Sequence, residues 1–96
     1  MDQAGELALL KIDLQRNGVE LGDEAYLLTK LEAARANLTR QGIKPGEEAD
    51  YTDLVVGTAA WMYRKRITGE EEPRYLRRMR HDLLLSQKMR GGGDAV

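Results

Sequence analysis

The stretch Leu54-Val55-Val56-Gly57-Thr58-Ala59-Ala60-Trp61-Met62-Tyr63-Arg64-Lys65-Arg66 decides how this chain folds. From Leu54 to Tyr63 apolar side chains fall nearly all round a helical wheel instead of along one stripe. That is the pattern of a helix covered by other helices on most of its surface. Gly57 costs roughly 1 kcal/mol of helix propensity there, and its return is close approach by a second helix. Arg64-Lys65-Arg66 place cations at the negative end of the helix dipole, and Thr68-Gly69 breaks the run. The spacing predicts a central helix from about Asp50 or Thr52 to Ile67.

Three more helices surround it in the reading. The first runs from about Glu6 to Gln15, with Leu7, Leu10 and Leu14 on one stripe and Leu9 and Ile12 on nearly the opposite side. A short helix apolar on two sides needs two covers. Either both lie inside the domain, or a neighbouring subunit supplies one. Asn17-Gly18 stops this helix. The second begins after Asp23, a plausible N-cap, and carries Leu27, Leu31, Ala34 and Leu38 with Leu28 beside them. It ends near Gln41, with Gly42 as the left-handed residue. The segment from Gly42 to Ala49 has turn chemistry and reads as a loop.

The fourth helix follows Glu70-Glu71-Glu72-Pro73 and runs to about Met89, with proline and acids suited to its start. Tyr75, Leu76, Met79 and Leu83 share one face. Arg74, Arg77, Arg78, His81 and Lys88 share another arc, with Leu84 and Leu85 on its two edges.

No segment alternates with period two. The fold class is therefore all-α: a small four-helix domain over residues 1–90, antiparallel helices around a buried third helix, then a flexible tail over 91–96. The expected core is Leu31, Leu54, Val55, Ala59, Trp61, Met62, Leu76 and Met79.

Composition closes off several functions. Hydrophobic residues make 42% and charged residues 32% of 96 positions, which fits a soluble single domain. No run is long and apolar enough to span a bilayer, and the N-terminus lacks a basic secretory region. Absence of cysteine excludes disulfides and thiolate chemistry. These features predict a protein made in a cytoplasm, without membrane contact. His81 stands alone in a basic helix, with no second nitrogen or sulfur ligand for a metal. Glu70-Glu71-Glu72 fits a helix start better than a metal site. Gly91-Gly92-Gly93 lacks the strand, helix and Lys-Ser/Thr of a phosphate loop. The expectation is a chain that is not an enzyme and has no catalytic, metal or cofactor residues.

Charge is unevenly placed. Residues 1–55 hold six Lys/Arg against eleven Asp/Glu, and residues 56–96 hold nine against five. The acidic and basic halves are either two faces of one fold or complementary faces of neighbouring copies. The arginines of the third and fourth helices also admit a small DNA-binding regulator. Against that reading stand a connector from Ile67 to Glu72 that is long for a helix-turn-helix, its three glutamates, and a domain that is not basic overall. A generic helical adaptor is a third reading. Leu84 and Leu85 among arginines either form a protein interface or close the end of the core.

The segments Leu10-Lys11-Ile12-Asp13-Leu14-Gln15, Glu32-Ala33-Ala34-Arg35-Ala36, Asp53-Leu54-Val55-Val56 and Ala59-Ala60-Trp61-Met62-Tyr63-Arg64-Lys65-Arg66 stand in this order. Pro73-Arg74-Tyr75-Leu76-Arg77 and Ser86-Gln87-Lys88-Met89 follow. Together, over residues 7–90, they resemble the small head–tail connector proteins of siphophages and prophages. Gly57, Thr58 and Leu85 depart from that pattern, where larger residues and an aromatic are frequent. The resemblance implies a non-enzymatic subunit of a ring of about twelve copies, closed by heterologous contacts. The ring would dock under a portal protein and extend the channel for passing genomic DNA without sequence-specific binding. It would also seat a downstream neck or tail-completion protein at the head–tail junction of the virion. On this reading Asp23, Glu24 and Glu32 of one copy meet Arg74, Arg77 or Arg78 of the next. Leu84, Leu85 and Lys88 belong to the same subunit or portal interface. The segment Met89 to Val96 would order on docking, since glycines lose the most freedom when fixed.

Overall fold

The computed structural model describes residues 2–46 and 48–95, with side chains as far as position 89. Four helices follow one another: α1 (Gln3–Arg16), α2 (Glu24–Arg40), α3 (Ala49–Thr68) and α4 (Arg74–Ala95), with no strand among the described residues. The all-α, four-helix reading of the sequence holds.

Local chemistry fixes the ends. Asp2 accepts a hydrogen bond from the Gly5 N–H at 2.8 Å, so α1 starts three residues before Glu6. Asp23 caps α2 in the same way, accepting from the Ala25 N–H at 3.2 Å. The first two helices close identically. Gly18 (φ 71°) and Gly42 (φ 92°) take left-handed backbone. The next residues, Val19 and Ile43, donate back to the Leu14 and Leu38 carbonyls at 2.9 and 3.0 Å. This is the Schellman arrangement, and it turns an apolar residue back onto the helix it ends. Ile43 is buried as a result, although it lies in a segment that reads as a polar loop.

α3 is the centre. α1 and α2 pack on it and on each other, while α4 packs on α3. Leu10, Leu14, Leu27, Leu31, Leu38, Leu54, Val55 and Leu76 are fully buried, and Ala59 with them. Three residues expected in the core, Trp61, Met62 and Met79, are instead partly buried at its edge. For Trp61 the reason is chemical: its indole N–H needs an acceptor and reaches the Glu70 carbonyl at 3.1 Å, outside the apolar centre. On the second side of α1, Leu9 packs partly against the core and Ile12 remains 45% exposed.

Gly57 performs the role the sequence suggests. A Cβ there would stand 2.7 Å from Leu76 Cδ2, so a larger residue would force the buried Leu76 side chain to shift. Near Gly57 α4 contributes Leu76 and Tyr75, whereas near Asp50 it contributes Leu83 and Ser86. The two helices therefore run antiparallel. The α4 backbone continues past Met89, where the sequence places its end, to Ala95. The side chains from 90 onward and Val96 lie outside the described residues, and the flexible-tail reading for 91–96 covers positions whose backbone is helical as far as Ala95.

Candidate assembly surface

Helical spacing on α4 separates its residues into three faces. The inner one buries Leu76 and Leu83 against α3. Arg80, beside them, forms an ion pair with Glu72 at 2.6 Å. The outer face carries Arg74, Arg77, Arg78, His81 and Lys88, all exposed and without an ion pair among the described residues. Leu84 and Leu85 part company. Leu84 is half-buried against the core and faces Gly42, at 3.6 Å from its Cβ position. Leu85 is 50% exposed and Met89 is 73% exposed. So one leucine closes the core and the other stays on the surface.

Two of the three acidic residues singled out on α2 are already engaged within the chain. Asp23 caps its helix, and Glu24 pairs with Lys11 of α1. Glu32 is exposed and unpaired among the described residues.

Two charge clusters escape a reading by spacing. Arg64 reads as the cationic end of α3, yet its side chain is only 10% exposed. It pairs with Asp13 of α1 at 3.4 Å and Glu70 of the α3–α4 connection at 3.0 Å. Glu6, buried in α1, pairs with Arg35 of α2. Partial burial, reinforced by the Asp13 carboxylate, pushes the Tyr75 phenol above its ordinary pKa. Glu70 and Glu72 are thus turned onto arginines, and Glu71 is the exposed member of the acidic triplet.

Between α1 and α4, with α3 as its floor, runs a groove of about 380 Å³. Leu9, Val56, Tyr75 and Met79 give it apolar walls, and Asp13 and Asp53 line it too. Arg16 is the cation at its α1 side. A smaller hollow of about 160 Å³ shares Met79 and continues along α4 beside Asp50 and Asp82. Asp50, Asp53 and Asp82 make no ion pair among the described residues. No sequence signal marks this groove, since its acids come from three helices, α1, α3 and α4, brought together only by the tertiary fold.

Among the described residues no three His, Cys, Asp or Glu side chains converge as a metal site, and no helix is long and apolar enough to cross a membrane. Comparison with protein-family models, with curated proteins and with solved structures returns no match.

Proposed function

We propose that this chain is a structural head–tail connector subunit of a tailed bacteriophage. In this reading it acts as one copy in a ring that docks on a portal protein, continues the DNA channel and seats the next neck component. The supporting observation is the outer face of α4. It holds five basic residues without an ion pair among the described residues, together with exposed Leu85 and Met89, on a helix that packs chiefly on α3. Arginine mixed with exposed aliphatic groups is the composition of a protein interface. The resemblance over residues 7–90 gives that interface its setting. Heterologous contacts join two different patches of one subunit, and a ring follows when the rotation closes.

The basic face meets protein in this reading and not the channel. A lumen lined by unpaired arginines would grip phosphates and brake passing DNA. Phage deleted for the gene should yield filled or leaking heads beside separate tails by electron microscopy, with complementation restoring virions. Intact virions from the deletion would sink the proposal.

The same unpaired arginines favour one other reading, a DNA-binding regulator. Salt-dependent retention on duplex DNA tests it. The antiparallel pairing of α3 and α4 counts against it, because a helix-turn-helix crosses at a wide angle.

A further inference from the structure

We propose that the groove between α1 and α4 receives the outer ridge of α4 from a second copy of this chain. The inference rests on the ring reading and names its subunit contact. Arg74, Arg78, Leu85 and Met89 fall at i, i+4, i+11 and i+15, so they form a single ridge along α4. That ridge is basic at its start and apolar toward its end. The groove offers the counterpart. Leu9, Val56, Tyr75 and Met79 give it apolar walls, and Asp50, Asp53 and Asp82 stand along it without an ion pair among the described residues.

Charge complementarity selects the occupant. Among the described residues Asp50 and Asp53 on α3 are exposed and make no ion pair, and the same holds for Arg74 and Arg78 on α4, while Asp82 lies one turn from Arg78 on α4 itself. Opposite charges on matching surfaces steer association and fix its register. Arg16 of α1 is the cation among the groove's lining residues, where it shares the wall with Asp13 and Asp53 without an ion pair to either. The acidic residues of α2 compete poorly, since Asp23 and Glu24 are occupied at home. Ile12 lies one helical turn from Leu9 and is exposed, so an incoming ridge would also cover it. Where each copy offers its ridge to the groove of the next, the contact is heterologous and propagates around a ring.

The test is a charge exchange read by light-scattering mass of the full chain across a concentration series at low salt. Wild type should form multimers. Asp53→Arg and Arg78→Asp should each raise the concentration needed by about tenfold, and the double exchange should restore it. Glu32→Arg, on α2, should change nothing. Far-UV circular dichroism verifies that each variant is folded. A monomeric wild type, indifference to either single exchange, or no restoration in the double overturns the inference. Assembly lost in Glu32→Arg and kept in Asp53→Arg overturns it in favour of α2, leaving the ring reading intact. Intact virions from the deletion phage would remove the ring reading whatever the groove does.

Discussion

The side-chain amide of Gln87 brackets the backbone of Lys44. Its Oε1 accepts from the Lys44 N–H at 2.9 Å, and its Nε2 donates to the Lys44 carbonyl at 3.0 Å. One residue near the end of α4 thereby satisfies both polar groups of a loop residue between α2 and α3. Lys44 follows Ile43, whose buried side chain holds the same loop from inside. The loop is consequently tied to the core and to α4 at adjacent positions.

Gln87→Ala removes both hydrogen bonds. The site is exposed, so water replaces part of the loss, and a destabilisation of about 1 kcal/mol is expected in urea unfolding. Gln87→Glu keeps the acceptor for the Lys44 N–H but sets a carboxylate against the Lys44 carbonyl, and it should not recover wild-type stability. Faster amide exchange in the last turns of α4, with the α2–α3 pair unaffected, is the accompanying signature.

Gly57→Ala tests the α3–α4 approach. Alanine gains helix propensity of about 1 kcal/mol, yet its methyl meets Leu76 Cδ2 at 2.7 Å. Overpacking of this kind costs about 1–3 kcal/mol, so the net change should be destabilising. Adding Leu76→Ala should make the pair less destabilised than the two single changes summed, measured as a double-mutant cycle. Strict additivity would mean that the close approach carries no energetic weight.

Arg64→Met should be more costly than any change on the outer face of α4. It leaves Asp13 and Glu70 without their shared cation in a partly dry site. Breaking a fully buried pair costs about 3–5 kcal/mol. Asp13 and Glu70 keep some solvent, so about 2 kcal/mol is expected here. Arg64→Lys should fall between, because one ammonium on a flexible stem does not bridge two carboxylates as a guanidinium does. Thermal unfolding of the three proteins at equal ionic strength gives the ranking.

Arg77→Glu with Arg78→Glu should separate assembly from folding. Both side chains are exposed and make no ion pair among the described residues, so stability should move by no more than about 0.5 kcal/mol. Ring formation should weaken. Unchanged multimer mass in this variant would count directly against α4 as the contact helix.

Truncation after Arg90 should leave the folding transition in place, because the core ends at Leu83 and Leu84. Binding to an isolated portal ring should fall if the C-terminal segment orders on docking. Binding equal to that of the full chain would remove that role.

By itself, the sequence determined the number and class of the elements and the identity of the central one. The continuous apolar surface from Leu54 to Tyr63 has no stable solution except burial in a helix packed by others, and Gly18, Gly42 and Gly69 mark the ends. Such signals are local, because periodicity and capping act within a few residues along the chain. The close approach at Gly57 was legible for the same reason: a glycine inside a helix needs a compensating contact. Tertiary structure alone decided which charges are spent and which are free. Arg64 meets Asp13 across 51 positions, Gln87 reaches Lys44 across 43, and Leu84 turns inward while Leu85 stays out. Nor did spacing foretell the groove, whose Asp50 and Asp82 line one hollow only when α4 returns along α3. An ion pair or a surface patch depends on distances between elements, and those distances are set by how four apolar stripes share one core.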